Sequence, residues 1–290
     1  MEIEKSTHYP FKNELLGLLK KEIPLHSVFV ISAYKKKEKQ KIYLAPSCAN
    51  PQLVITYTLL IVSYKPVSKR LGDFMDELYN KMQQHCKVYP ITYSLSSVKK
   101  KMNTGNNFLS RIMSQTVCMY KENETLSGFQ NFKPSYHWVV YERIESHWNT
   151  RMERARYLLS IVDIDFKEEY TSKLATIHHA LEQVCLGLLY VFWEFNPHHY
   201  ALSYLLHLCG HFTDLPQRIF PQTTYGLQRQ FYMLCNAHHI MRFKAQNEFS
   251  EHDAFKVQHL SERFYEEAKR LGEDQLKHLK ALHCTAAIHS

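Results

Sequence analysis

The chain has 290 residues, 45% of them hydrophobic and 22% charged, and a formal net charge of +8 at pH 7. This length and composition indicate a soluble globular protein with room for two domains. The apolar run from Leu53 to Val62 is too short to span a bilayer, the first ten residues carry no secretory signal, and the seven cysteines show no C-x-x-C pairing. We therefore expect reduced thiols, a cytoplasmic location and no membrane partner.

The N-terminal half alternates helical and strand-like patterns. In chain order, the patterns predict an amphipathic helix over Phe11 to Glu22, a hairpin of Val28 to Tyr34 with Lys41 to Leu44 that carries lysines at its tip, a buried strand over Leu53 to Tyr64, a helix over Ser68 to His85, a strand over Val88 to Leu95, a short helix capped by Ser96-Ser97, and a last strand over Thr116 to Tyr120.

The predicted buried strand carries two threonines, Thr56 and Thr58, and follows the segment Ala45-Pro46-Ser47. The β, helix, β order resembles the nucleotidyltransferase fold. That resemblance implies a Gly-Ser turn for the triphosphate and an Asp-x-Asp for Mg²⁺, because hard divalent cations prefer carboxylate oxygens. Here Ala45-Pro46-Ser47 replaces the turn and the two threonines replace the aspartates. Neutral hydroxyls cannot neutralise a metal–triphosphate complex, so we expect a degenerate domain without nucleotidyl transfer activity.

Positive charge is concentrated in the first part of the chain. Residues 1–125 contain 19 Lys and Arg against 10 Asp and Glu, a net +9, and residues 126–290 contain 17 against 18, a net −1. Clustered lysines are typical of a face that binds a polyanion. The predicted nucleic-acid-binding residues are Lys35, Lys36, Lys37, Lys39, Lys41, Lys99, Lys100 and Lys101. The alternative is a solvated lysine loop that only keeps the protein soluble.

The second part of the chain is organised around the stretch from Leu174 to Leu206. Apolar residues at three- and four-residue spacing predict a central helix that is covered on most sides. Asn196-Pro197 ends this helix, and a second apolar stripe predicts a helix packed antiparallel against it. An arginine-rich helix over Ile144 to Val162 precedes both. We expect a domain over residues 1–125, a linker over 126–149 and a helical domain over 150–290.

The segment His178-His179-Ala180-Leu181-Glu182-Gln183, His199 with the Leu-rich helix after it, and Asn236-Ala237-His238-His239 with Arg242 together resemble a HEPN domain. The resemblance covers about residues 150–271. It implies an α-helical bundle of a family tied to nucleotides and RNA, often joined to a nucleotidyltransferase-like domain and often dimeric. The expected fold class is therefore α+β, an α/β nucleotidyltransferase-like domain followed by an all-α HEPN-like bundle, and we expect a homodimer.

The same resemblance implies a cleft lined by polar residues. The residues predicted to line it are His178, Glu182, His199 and Arg242. The alternative for the first two is a structural hydrogen bond between positions i and i+4 of one helix.

Ribonucleases of the HEPN family are metal-independent and need an arginine followed after four to six residues by a histidine. The arginine steadies the phosphate charge, and the histidine moves protons at the 2′-hydroxyl. No arginine of this chain has a histidine at that spacing; Arg143 with His147 is one residue short, and Arg242 follows its histidines instead of preceding them. The sequence therefore predicts no catalytic residue, which argues against enzymatic activity.

One further pair of histidines has metal-ligand spacing. His207 and His211 stand four apart, with Cys209 between them, and could lie on one face of a helix. No third ligand is indicated nearby, and the chain has 18 histidines, so chance adjacency is expected. With eight glycines, the chain also lacks a P-loop and a Gly-rich dinucleotide turn. We expect no bound metal and no cofactor.

These patterns favour a non-enzymatic nucleotide- or RNA-binding HEPN-domain protein with an inactive nucleotidyltransferase-like domain. Two alternatives stay open. One is a ribonuclease acting through a non-standard site of His178, Glu182, His199 and Arg242, and the other is a protein-interaction scaffold.

Overall fold

The computed structural model describes residues 9–38, 52–162, 169–244 and 249–286. The chain divides into two compact units, Met1–Ser135 and Tyr136–Ser290. The described residues form one four-stranded mixed sheet and ten α-helices. The protein is thus of the α+β class, as predicted.

The first unit is built on the sheet. Its strands are β1 (Leu25–Glu38), β2 (Gln52–Ser63), β3 (Cys86–Ser94) and β4 (Val117–Lys121), in the order β3-β2-β1-β4. Strand β1 runs antiparallel to β2 and β4, and β3 runs parallel to β2. Residues 54–63 of β2 are all buried. The apolar run predicted as a strand covered on both faces is therefore confirmed.

Helices cover both faces of this sheet. They are α1 (Lys12–Glu22), α2 (Leu71–Lys81), α3 (Leu95–Asn103) and α4 (Asn107–Gln115), and a short 3₁₀ turn follows at Ser127–Phe129. Helices α1 and α2 pack against one face, in a cluster that includes Leu19, Phe74, Tyr57 and Leu59. The alternate residues of β2 point to the opposite face, where α3 contacts β2 and β3 and α4 contacts β1.

The lysines predicted at the tip of a hairpin lie inside a strand instead. Lys35, Lys36 and Lys37 belong to β1 and pair with Ile55, Val54 and Leu53 of β2, so they continue the strand instead of forming a tip. The extent of a strand depends on the backbone partner available to it, and lysine is only mildly unfavourable in such a position. Lys39, the segment Lys41 to Leu44 and Ala45-Pro46-Ser47 lie outside the described residues.

The short helix after β3 begins one turn earlier than predicted. Ser94 caps α3 by accepting a hydrogen bond from the Ser97 N–H, so the predicted cap at Ser96-Ser97 is wrong. The cap falls at Ser94 because β3 ends there and the residue keeps extended backbone angles, which a helix N-cap requires. Asn106 caps α4 in the same way through the Leu109 N–H. Between the two helices, Gly105 turns the chain with φ at 73°.

The second unit is helical. Its helices are α5 (Trp138–Val162), α6 (Tyr170–Trp193), α7 (Leu202–Cys209), α8 (Leu215–Ile219), α9 (Tyr225–Phe243) and α10 (Glu251–Ala286). Helix α6 contacts α5, α7, α9 and α10, which confirms the predicted central helix. It is long and apolar enough to cross a membrane, but 78% of its apolar window is buried inside the protein, as expected of a core helix.

The segment predicted as a linker, residues 126–149, contains parts of both units. Ser127–Phe129 forms the 3₁₀ turn, and Trp138 already begins α5. The first turns of α5 are stabilised because Tyr141 is buried and the Trp138 indole N–H donates to the Glu142 carboxylate at 2.8 Å. Helix α5 therefore starts before the predicted Ile144.

Helices α5, α6 and α10 meet around the indole ring of Trp148, which is 2% exposed. A Cβ atom placed on Gly187 of α6 would lie 3.1 Å from the ring, and one placed on Gly272 of α10 would lie 2.1 Å from it. Two helix backbones thus approach this ring closely, and the second contact leaves no room for any side chain.

Candidate functional site

The predicted lysines of the first unit form two separate groups. Lys35 is exposed on β1 and pairs with Ile55, which is the register partner of Cys86 at the start of β3. Lys99, Lys100 and Lys101 lie on α3, which follows the end of β3. The Lys101 ammonium is 5.8 Å from the centre of the Tyr93 ring.

The sheet register gives the distance between these groups along the strands. Cys86 and Tyr93 are seven residues apart on β3, about 23 Å at the usual rise of a strand. The Lys35 to Lys37 segment, which we call the strand patch, and Lys99 to Lys101, which we call the helix patch, therefore lie near opposite ends of the sheet. Among the described residues, the lysines predicted to bind nucleic acid thus lie in two groups, and Lys39 and Lys41 lie outside the described residues.

Other lysines of this unit are already paired with acids. Lys69 and Lys81 each contact both Glu22 and Glu77 at 2.5–2.6 Å. Hydrogen bonds from Lys69 and Lys81 lower the pKa of Glu22 to about 2. This network of two cations and two anions is neutral. No ion pair within the described part of the chain engages Lys35, Lys99 or Lys100.

The threonines that replace the nucleotidyltransferase aspartates are enclosed in the sheet. Thr56 is 4% exposed and Thr58 is 0% exposed. Tyr34 hydrogen-bonds to Thr56, and burial raises the pKa of Tyr34. Described strand β2 thus carries buried hydroxyls, and no carboxylate, at the two positions where the nucleotidyltransferase resemblance implies aspartates.

The predicted HEPN cleft residues do not form one group. His178 is fully buried, and its Nε2 lies 3.1 Å from the Glu182 Oε1. His199 packs edge-on against Tyr204, with ring centres 5.1 Å apart. Arg242 is exposed near the end of α9. None of the contacts within the described ranges joins His199 or Arg242 to the His178–Glu182 pair.

A different set of side chains surrounds Glu182. His179 Nδ1 lies 2.8 Å from the Glu182 Oε2, and the His238 ring of α9 stacks on His178 with ring centres 4.1 Å apart. We call His178, His179, Glu182 and His238 the histidine cluster. His179 and His238 were not predicted as site residues. The sequence has His-His dipeptides at 178–179, 198–199 and 238–239, so this repetition does not by itself single out the two that meet.

The contacts in the histidine cluster change the protonation of its members. Burial raises the pKa of Glu182, but hydrogen bonds from His178 and His179 outweigh it and lower that pKa to about 2. The hydrogen bond to Glu182 raises the pKa of His179. Burial, together with the charge of His178, lowers the pKa of His238 to about 4. Glu182 is therefore a carboxylate and His238 is neutral at pH 7.

Two places in the second unit combine residues that can bind a metal. The possible ligand atoms of His178, His179 and Glu182 all lie within 4.8 Å of one another. In the predicted pair, the His211 Nδ1 faces the carbonyl oxygens of His207 and Leu208 at 3.1–3.2 Å, which occupies one of its ring nitrogens. Cys209, between them, donates to the Cys185 carbonyl in the core. The first group is the better arranged for a metal.

Comparison with known proteins adds little information to this geometry. No protein-family model matches the sequence, and no curated protein matches it. Among solved structures, the chain is similar to a nucleotidyltransferase-like protein from Exiguobacterium sibiricum, with 11% sequence identity and a TM-score of 0.26. The likeness covers 92% of this chain and 78% of that one. At this TM-score it carries no inference about fold or function, and the HEPN resemblance stays a hypothesis.

Proposed function

We propose that the protein is a non-enzymatic RNA-binding protein of the HEPN type, in which the first unit is an inactive nucleotidyltransferase-like domain that holds the RNA backbone. One observation carries this proposal. Lys35, Lys99 and Lys100 are exposed and have no acidic partner in the described part of the structure, while Lys69 and Lys81 in the same unit are neutralised. A cation without an acidic partner attracts phosphate without first breaking an ion pair.

The separation of the two patches favours a polynucleotide over a single nucleotide. The phosphates of one nucleotide cannot reach two patches about 23 Å apart, the distance that seven residues of β3 span. A single-stranded RNA several nucleotides long can contact both. Each contact adds to affinity through the release of counterions.

The absence of metal-binding carboxylates on β2 supports a binding role over nucleotidyl transfer. Thr56 and Thr58 are buried and uncharged. For the alternative ribonuclease, no arginine joins the described contacts of His178 and Glu182 to steady a phosphate. A protein-interaction scaffold would need no lysines without acidic partners. RNA binding is therefore the proposal with the most support.

The homodimer is part of this proposal, and the second unit would supply its interface. Tyr225, Tyr232 and Phe243 follow one another at seven and eleven residues on α9 and are 59–71% exposed. These spacings place the three rings on one side of the helix. A second copy that covered them would remove a large apolar surface from water, and light scattering of the purified chain measures whether it does.

Matched double variants test the RNA proposal. Three double variants each remove two positive charges: Lys35→Gln/Lys36→Gln, Lys99→Gln/Lys100→Gln and Lys256→Gln/Lys280→Gln. The last, on α10 of the second unit, is the control. Fluorescence anisotropy with a labelled single-stranded RNA gives the affinity at several salt concentrations. Either first-unit variant should weaken binding and reduce the slope of log affinity against log salt by up to about 1.4, because each lost contact accounts for about 0.7.

The control variant should keep the slope of the unaltered protein. Equal losses of RNA affinity in all three variants would show that binding depends on the net charge of the protein and not on the position of these lysines. An unchanged slope in both first-unit variants would show that the lysines of the two patches are solvated side chains that do not contact RNA, and it would overturn the proposal.

A further inference from the structure

The three side chains of the histidine cluster that lie on α6 share one side of the helix. With 3.6 residues per turn, Glu182 projects about 40° from His178 and about 60° from His179, so it lies between them. The structure agrees, because each Glu182 oxygen contacts a different ring, at 3.1 Å for His178 and 2.8 Å for His179. One carboxylate and two imidazole nitrogens therefore lie within 4.8 Å of one another.

A backbone carbonyl determines the tautomer of His178. The His178 Nδ1 lies 2.9 Å from the carbonyl oxygen of Leu234 on α9. A carbonyl oxygen only accepts, so Nδ1 carries the hydrogen. The other ring nitrogen, Nε2, faces the Glu182 carboxylate at 3.1 Å, so it is the atom that a metal ion held with Glu182 would bind.

The distances in the cluster are close to those of a metal site. Ligands at about 2.0–2.2 Å from Zn²⁺ in tetrahedral geometry are separated by about 3.3–3.5 Å. The observed separations of 3.1 and 2.8 Å, to the two different oxygens of Glu182, are shorter than that by about 0.2–0.7 Å, so the side chains would move slightly apart around a bound ion. The hydrogen bond from His178 Nδ1 to a carbonyl is also the usual outer contact of a metal-bound histidine.

A second feature independently indicates a ligand at this place. The Nδ1 of His238 is buried and has no hydrogen-bond partner among the described residues, although its ring stacks on His178. A buried nitrogen without a partner is costly, unless a group absent from the protein itself satisfies it.

We propose that His178, His179 and Glu182 bind one transition-metal ion of the Zn²⁺ class, with the fourth position open to water. Imidazole nitrogen and carboxylate oxygen suit zinc, whereas sites for magnesium or calcium are built from oxygen. The ion has a route from solvent because the His179 side chain is 49% exposed and that of Glu182 is 16% exposed. This site is independent of RNA binding by the first unit.

Isothermal titration of the full chain with ZnCl₂, after dialysis against EDTA, tests the site. We expect one strongly bound Zn²⁺ per chain. Changes in groups outside the first coordination shell commonly cost 10–100-fold in metal affinity, so loss of a ligand in Glu182→Gln or His179→Gln should cost at least about 100-fold. Co²⁺ bound at the same site should show the visible absorption of tetrahedral coordination.

His207→Gln is the matched control, because it removes one imidazole from the other histidine pair of the unit. It should bind Zn²⁺ as the unaltered protein does. His179 is half exposed, so His179→Gln should keep its circular dichroism spectrum even if Glu182→Gln does not fold. The proposal is overturned if the unaltered chain takes up no stoichiometric Zn²⁺, or if folded His179→Gln binds as tightly as before.

Discussion

In the first unit Lys35, Lys99 and Lys100 are exposed at the surface. In the second unit the histidine cluster, with His178 fully buried, lies among packed helices. Residues 1–135 contain 20 Lys and Arg against 10 Asp and Glu, a net +10, and residues 136–290 contain 16 against 18, a net −2. The positive charge of the first unit can attract an anion. Salt screens this attraction, so that it acts over about 8 Å at physiological ionic strength.

The two units also differ in how closely their backbones pack. Gly17 of α1 has no atom within 4 Å of an added Cβ, whereas Gly272 of α10 lies against Trp148. A sheet with helices on both faces places exposed helix surface at Gly17. A bundle around one central helix brings three backbones to a single ring. The same residue type is therefore replaceable in one unit and required in the other.

The largest effect that we predict is the change Gly272→Ala. The new methyl group would lie 2.1 Å from an indole ring that is 2% exposed, so the ring or a helix must move. Overpacking of this kind costs about 1–3 kcal/mol of unfolding free energy. Urea unfolding followed by circular dichroism measures the loss. A loss below a few tenths of a kcal/mol would show that the bundle is not tightly packed at this ring.

A smaller predicted effect is a loss of folding stability at acid pH, caused by His147 of α5. Burial lowers the pKa of His147 to about 4 from 6.5, and the nearby Arg151 and Arg154 add to this shift. The ring stacks on Tyr190 with centres 4.0 Å apart. The unfolded chain takes up the proton first as pH falls, so folding stability should decrease between pH 6.5 and about pH 4.

The variant His147→Phe removes this group's share of the decrease. The His147 side chain is partly exposed, so solvent screening should reduce the share to on the order of 1 kcal/mol, below the full value of the shift. Urea unfolding at several pH values between 7 and 4 compares the variant with the unaltered protein. The variant should lose less stability on acidification. Parallel losses in both proteins would contradict the role of His147.

The smallest effect is the opposite change in the first unit, Gly17→Ala. Gly17 lies inside α1, and the added methyl group meets no atom within 4 Å. Alanine restricts the unfolded chain and favours helix, so the variant should be more stable by about 0.5–1 kcal/mol. Thermal unfolding measures the gain. A loss of stability in Gly17→Ala as large as that in Gly272→Ala would remove the contrast between the units.

The sequence by itself determined the four described strands and helices α1, α2, α3, α5, α6 and α7, but not the long helix α10. The apolar run of β2 and the three- and four-residue spacing of α6 are local patterns, because burial of a strand or helix face repeats with the period of its backbone. The concentration of positive charge in the first unit is likewise a property of the amino-acid sequence alone. The predicted cap of α3 and the start of α5 were wrong, since strand ends and buried contacts set them.

The tertiary structure decided which side chains meet. Pairing with β2 placed Lys35 to Lys37 in a strand and separated them from Lys99 to Lys101. Packing of α9 on α6 brought His238 onto His178, 60 positions away, and aimed the Leu234 carbonyl at the same ring. The local spacing of apolar residues does not show which distant residues will contact one another, because strand register and helix packing depend on residues far apart in the chain.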